Sequence, residues 1–421
     1  MVAIGGTATY AGTITNSTGA ALALDASLDF GTSPELNQFY IDFADELVAL
    51  DLVIPAAGYT GPIFKVSWLL SAGAGSFGQG ELVLASDAPA DPLTQTAAFT
   101  LGTPGIGPFC TLGTGHLGAG TSVASDDSVG RPVLVYNDPG AGTLSYATFS
   151  GTAWATTPIA SGIGGQAAPS LAMDHDLHPH VAYYDAVLGN LMHAWNTGTG
   201  WQNEIVESNN DVGAQPSLVI DGAGNLHISY YDVTNGDLRY ALFTGGVWTT
   251  SLVDASGDVG RFSSITADPN LVPYISYYDA GAQDLKFAYL PNAAWLTEVV
   301  DAPGARGTWS SIQRNGNTFA ISYRDATPGS PAVRYATGSP GSWATEVVDA
   351  AGNPGLGTSL ELNSFGQPRI VYVDSLSSKV RFATKTGPAW TTQDVTTNGQ
   401  AQVSLSRSNV DAPYLSYVDK T

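Results

Sequence analysis

A pattern returning about every 47 residues governs what this chain can fold into, because a repeat of that length encodes one supersecondary unit that must pack on its own copies. Its clearest copy runs Pro216–Asp221, then Leu226-His227-Ile228-Ser229-Tyr230-Tyr231-Asp232, then Asp237-Leu238-Arg239-Tyr240-Ala241, then Trp248 and Val253-Asp254. The next reads Ser264-Ile265, Tyr274–Asp279, Asp284-Leu285-Lys286-Phe287-Ala288, Trp295 and Val300-Asp301. Each segment alternates apolar and polar residues, the period of a half-buried strand. Turns rich in Gly, Asn and Asp lie between them, such as Asp221-Gly222-Ala223-Gly224-Asn225 and Thr244-Gly245-Gly246. Four short strands per repeat predict one propeller blade.

The aspartate that ends the second strand counts the blades. It stands at Asp138, Asp185, Asp232, Asp279, Asp325, Asp374 and Asp419, with spacings of 45 to 49 residues, which predicts seven. The last copy reaches Asp419-Lys420-Thr421 before any third or fourth strand, and a propeller must close its ring. The stretch Leu144 to Asp174 has the same length as Thr96 to Asp126, so Thr96–Thr100 falls where a third strand belongs and Ile106–Thr111 where a fourth belongs. The expectation is an all-β chain with a seven-bladed β-propeller over residues 93–421, its last blade completed by residues 94–112.

The segments Ile228–Asp232, Gly236–Ala241, Trp248 and Val253-Asp254 to Gly257-Asp258-Val259-Gly260 resemble a bacterial and archaeal family of propeller repeats, loosely labelled sialidase-like. The resemblance covers about three quarters of the chain. It implies the fold and a surface or secreted setting, while propellers as a class host unrelated activities. A sialidase would carry Asp-boxes between the third and fourth strands, where this chain has Thr244-Gly245-Gly246 or Gly338-Ser339-Pro340-Gly341. It would also converge three arginines on a substrate carboxylate. Arg239, Lys286, Arg334 and Arg381 instead share one place in the third strand of four repeats, which predicts ion pairs between neighbouring blades.

Residues 1–92 contain no copy of the repeat. Alternating runs at Thr7–Thr15, Leu22–Phe30, Phe39–Phe43, Leu47–Ile54, Ile63–Leu70 and Glu81–Ala85 predict a small β-sandwich, and Asp87-Ala88-Pro89-Ala90-Asp91-Pro92 reads as the linker. The N-terminus has neither a basic segment nor a long apolar run, so it does not read as a secretory signal.

Fifteen basic residues against 37 acidic ones give a net charge of -22. A nucleic-acid partner needs a basic footprint, so none is expected, and docking on anionic lipid is disfavoured in the same way. No apolar run is long enough for a membrane-spanning helix, so membrane insertion is not expected.

Several residues carry candidate chemistry. The repeated aspartates could form a carboxylate ring for Ca²⁺ or sugar hydroxyls, but a residue present in every blade is better explained as a turn cap. His175, His178 and His180 crowd one turn and are secondary metal candidates, although His227 takes the place of His180 in the next repeat without such neighbours. Tryptophans at 154, 201, 248, 295, 343 and 390 are periodic and predict blade core. Trp309 breaks that period and stands where Phe262 stands one repeat earlier. With Arg261, Arg306 and Thr308, these two aromatics form the candidate ligand site.

The chain contains no nucleophile elbow, phosphate loop or triad. The leading expectation is therefore a non-catalytic binding or adhesion protein at or outside the cell surface, whose loop face recognises carbohydrate or a surface receptor and whose N-terminal domain anchors it. No catalytic residue and no cofactor are assigned. The alternatives are a virion component (tail fibre, receptor-binding or capsid-surface protein), which the missing signal favours, and a glycoside hydrolase or lyase.

Overall fold

The alternating segments of the first six repeats each zip into an antiparallel meander whose first strand lies innermost and whose fourth lies at the rim. The computed structural model describes residues 120–419, apart from 129, 139–141, 151–152, 165–168, 270, 386, 398, 409–410 and 412, together with the backbone of six strands between Thr7 and Thr100. The chain divides into two compact units, the first running to Phe109 and the second, from Cys110, holding every blade. The described residues contain no helix.

Six four-stranded blades occupy residues 121–161, 170–207, 212–254, 259–301, 306–349 and 354–396, here blades I to VI. The seventh repeat supplies a two-stranded sheet, Gly399–Arg407 with Pro413–Asp419, packed between blade VI and blade I. All seven counting aspartates do end second strands.

The expected seven complete blades are thus corrected to six. Gln95–Thr100, expected as the third strand of the last blade, pairs with Gln79–Ser86 in a sheet that also holds Leu22–Leu28 and Val48–Ile54. Local pairing explains the choice. A short connection between neighbouring segments costs far less closure entropy than joining segments some 300 residues apart. The expected strand at Ile106–Thr111 lies outside the described residues, as does any packing of the N-terminal sheet into a sandwich.

The hydrophobic core sits between blades. Ala182 and Leu191 of blade II pack with Leu218, Ile228 and Tyr230 of blade III, and Leu238 and Tyr240 of blade III pack with Ile265, Ile275 and Tyr277 of blade IV. Second strands are covered on both faces, so Leu226–Asp232 and Pro368–Asp374 are buried throughout. Serines bind the innermost ring. Ser122, Ser170, Ser217, Ser264, Ser311, Ser359 and Ser404 each accept the backbone N–H of a neighbouring first strand, at Leu171, Leu218, Ile265, Ile312, Leu360, Leu405 and Val123, over 2.9–3.2 Å. The last bond links the seventh repeat to blade I.

The periodic tryptophans prove to be half-buried links between blades rather than blade core. Trp201, Trp248, Trp295, Trp343 and Trp390 meet third-strand rings of the preceding blade (Tyr146, His193, Tyr240, Phe287 and Tyr335) edge-on, with centroids 5.1–5.4 Å apart. Their indole N–H groups donate to that blade's fourth strand, as from Trp248 to Glu204 at 2.8 Å and from Trp343 to Glu298 at 2.7 Å. Replacing Trp248 with Ala should cost about 3 kcal/mol, the low end for large aromatic truncations because the ring is half exposed. Trp248→Phe, which loses chiefly the bond to Glu204, should cost about 1 kcal/mol. Urea unfolding midpoints of the two variants check both values, and equal losses would show that the ring contributes no packing.

Candidate functional site

Where the first strands of blades III to VI and of the seventh repeat face the central channel, they depart from regular pairing. Register shifts fall between Ala214 and Ser217, Arg261 and Ser264, Thr308 and Ser311, and Leu356 and Ser359. Such bulges insert unpaired residues and re-aim side chains. Within them Gln215, Phe262, Trp309, Gly357 and Gln402 are repeat equivalents, and all are left-handed, with φ of 51°, 53°, 57°, 62° and 91°. For a bulky L-residue this conformation costs roughly 1–2 kcal/mol. Glycine would relieve that strain, and blade VI uses glycine at this place. Blades III, IV and V and the seventh repeat keep large side chains there.

Neighbouring blades hold the strained turns in place. Ser310 Oγ donates to the Phe262 carbonyl at 2.8 Å, Thr358 Oγ1 to the Trp309 carbonyl at 2.5 Å, and the Phe262 N–H to Gln215 Oε1 at 2.7 Å. The Phe262 and Trp309 rings meet with centroids 4.7 Å apart at 41°. They line a cavity of about 210 Å³ in the channel together with Gln215, Gln402 and serines of the first strands. Cavities that enclose drug-sized ligands span roughly 300–1,000 Å³, so this one suits a single ring or chain end. Its wall offers two aromatic faces, two amides and hydroxyls, a set matched to a neutral polyol.

The structure brings only part of the expected site together. Phe262 and Trp309 are joined, and Arg261 lies exposed beside them in blade IV, paired to Asp258 at 2.8 Å and 5.2 Å above the Tyr231 ring. Arg306 is removed from the ligand set. Its Nη1 donates to Asp301 at 2.6 Å and its Nε to Asp325 at 3.1 Å, so two carboxylates hold it across a blade seam. Thr308 has a buried hydroxyl with no hydrogen-bond partner among the described residues. Gln215 and Gln402 were missed, although aligning the repeats on Phe262 and Trp309 would have found them.

The repeated third-strand cations bridge blades. Arg239 meets Glu207 at 2.7 Å, Lys286 meets Asp254 at 2.6 Å, Arg334 meets Asp301 at 3.1 Å and Arg381 meets Asp349 at 2.8 Å, each acid ending the fourth strand of the preceding blade. The tyrosines Tyr230, Tyr277, Tyr323 and Tyr372 donate to the same four acids. The second-strand aspartates cap turns, as Asp185 does for the Val187 and Leu188 N–H groups at 3.0 and 3.1 Å, and Asp279 for Ala282 at 2.9 Å. Asp185, Asp232, Asp279, Asp325 and Asp374 each commit an oxygen to a turn of their own blade, which accounts for them as caps.

Asp174, Asp176 and His178 offer ligand atoms within 4.8 Å of one another, while His175 is exposed and His180 bonds to His193 at 3.0 Å. The donor types would suit a divalent transition metal. However, Asp174 Oδ1 already accepts the Asp176 and His178 N–H groups at 2.9 and 2.7 Å. Asp221 builds the same turn in blade III with Ala223, Asn225 and His227, so the repeat accounts for this geometry.

No family model and no curated protein matches the chain. Solved structures share its fold at low identity. A polysaccharide lyase, an ulvan lyase bound to GlcA(1-4)Rha3S, is 12% identical with a TM-score of 0.51, over 75% of this chain and 96% of that one. Hydrazine synthase of Kuenenia stuttgartiensis is 11% identical with a TM-score of 0.51, over 73% of this chain and 95% of its own. A Hadza microbial sialidase, Hz136, is 12% identical over 97% of this chain and 90% of its own, with a TM-score of only 0.40. The chain is an all-β propeller. A lyase and a hydrazine synthase on one fold leave function to be argued from the site.

One seam acid, Asp254, makes the fold sensitive to low pH. Burial alone would raise the Asp254 carboxyl, but the Lys286 ammonium, Ser256 and Tyr277 outweigh it and hold the group at about 2. A depressed carboxyl contributes stability that is present above its unfolded value near 4 and lost as pH falls through 2. Thermal melts of the wild type should therefore drop between pH 4 and pH 2, and Asp254→Asn, less stable at pH 7, should drop by on the order of 2 kcal/mol less across that window. Parallel wild-type and variant curves would remove Asp254 as a contributor.

Proposed function

We propose that the protein binds carbohydrate without turning it over, with the Phe262–Trp309 pair at the channel as the stacking platform. One observation carries the reading. Blades IV and V keep aromatic side chains in a left-handed backbone where blade VI shows that glycine suffices. Strain that a simpler residue would relieve points to a use for the side chain. Aromatic faces stack on the C–H side of a pyranose, and Gln215 and Gln402 supply donors and acceptors for its hydroxyls. Arg261, exposed nearby, extends the surface. The ulvan lyase neighbour shows that a propeller of this kind can hold a polysaccharide, and it keeps a lyase as the enzymatic alternative. An anchoring role for the N-terminal unit and display at a cell or particle surface accompany this proposal.

Trp309→Gly separates binding from folding, because it imitates Gly357 and exchanges lost packing on Phe262 for released strain. The variant should melt within a few degrees of the wild type and lose at least about tenfold in affinity for whichever sugar a glycan array identifies, equivalent to about 1.4 kcal/mol. Undiminished affinity would sink the reading. Product formation from the bound sugar would replace binding with catalysis.

A further inference from the structure

We infer that Arg324 and Thr308 form an oxyanion subsite, so that the sugar recognised beside Trp309 carries an acidic substituent, a carboxylate or a sulfate. The inference rests on the carbohydrate reading for its ligand, and on independent observations for its chemistry.

Blade V breaks the repeat here. At the second-strand place of Arg324, blades II and III have Tyr184 and Tyr231, whose hydroxyls donate to Asp211 and Asp258 in the loop of the following blade. In the loop that follows blade V the corresponding residue is Asn353, and Arg324 Nη2 donates to its Oδ1 at 2.8 Å. The repeat pairs a neutral phenol with a carboxylate, whereas blade V pairs a guanidinium with a neutral amide. Among the described residues no carboxylate compensates the cation. Arg239, Lys286, Arg306, Arg334 and Arg381 all have carboxylate partners.

Two donors are also left over. Arg324 Nε and Thr308 Oγ1 are buried and have no hydrogen-bond partner among the described residues. The two residues stand directly opposite each other in the ladder, so their side chains share a face with Cβ atoms about 5 Å apart. An oxyanion between them would accept from both, and charge-assisted bonds of this type are the strong ones. Burial with no neighbouring carboxylate also pulls the Arg324 pKa below its ordinary value, so a bound anion would restore what burial removes. Gly355 of blade VI stands where the repeat also has Gly213, Gly260 and Gly307, and a Cβ there would come within 2.9 Å of Arg324 Cγ, so the arginine stem lies against this seam. Thr308 immediately precedes Trp309 in the chain, behind the wall of the channel cavity that Trp309 lines.

The test uses the full chain and three oligosaccharide probes: a galacturonate oligomer, a sulfated galactan oligomer and a neutral galactan oligomer. Calorimetry should show one acidic probe binding at least about tenfold tighter than the neutral one, and which of them does so identifies carboxylate or sulfate as the partner. Arg324→Gln should bring that probe down to the neutral level and leave neutral binding unchanged. Thr308→Val, close to isosteric, should cost roughly threefold to tenfold, the loss of one hydrogen bond, and it stands in if Arg324→Gln fails to fold. Equal binding of acidic and neutral probes overturns the subsite while the carbohydrate reading survives. If no probe binds, the carbohydrate reading fails, and inorganic sulfate then decides the subsite. Sulfate should raise the melting temperature of the wild type more than that of Thr308→Val and Arg324→Lys at matched ionic strength, and equal rises overturn the proposal.

Discussion

The four seams from blade II–III to blade V–VI each depend on a carboxylate that one blade supplies and the next neutralises. Glu207, Asp254, Asp301 and Asp349 end fourth strands, lie almost wholly out of water, and receive a tyrosine hydroxyl together with an arginine or lysine from the following blade. A buried carboxylate without its cation is costly, so the pair specifies which surfaces meet more than it adds net stability. The arrangement explains why one blade is not a folding unit in itself. Its charged groups are satisfied only when both neighbours are in place, and its apolar side chains form cores with residues of the next blade.

Toward the axis the constraint changes from charge to crowding. First strands approach one another closely enough for serine hydroxyls to bond to neighbouring backbones around the whole ring. In blades III to VI and the seventh repeat regular pairing does not continue to the channel mouth, and the bulges there turn one residue in each into a left-handed conformation. Hydroxyls of the next blade, Ser310 on Phe262 and Thr358 on Trp309, bind the carbonyls of these residues and so hold the strain. The same packing that closes the ring therefore presets the aromatic pair, and a ligand meets rings already ordered.

The propeller was legible because its determinants are local and periodic. Alternation marked the strands, and the second-strand aspartates fell where the turns needed caps. The role of the tryptophans was misread, since period alone cannot distinguish a residue inside a blade from one that reaches the blade beside it, as Trp248 reaches Glu204. Completion of the seventh repeat was misread for a related reason. A match in length placed Thr96–Thr100 against the last repeat, but length carries no information about the competing partner Gln79–Ser86 a few residues upstream. Within the site, the break of period at Trp309 was visible in the residues. Backbone handedness at Gln215 and Gln402 was not, because it arises from bulges that only tertiary crowding imposes. Arg306 looked available by composition and is consumed by Asp301 and Asp325, a pairing between segments that no spacing rule reports.

Net charge and local charge point in opposite directions, and their ranges decide between them. A charge of -22 repels an acidic polymer, but beyond the Debye length of about 10 Å in 0.1 M salt that repulsion is largely screened. Inside a seam the interaction is between close, partly desolvated groups, and screening there is weak. A cation that no described carboxylate compensates, Arg324, therefore governs what can be held, while the acidic surface limits how fast and how indiscriminately acidic chains arrive. Such a combination selects for a single well-placed anionic group over a densely charged polymer. The amide at Asn353 is central to it: the repeat places aspartate there in blades III and IV, and an aspartate facing Arg324 would turn the subsite into one more structural ion pair.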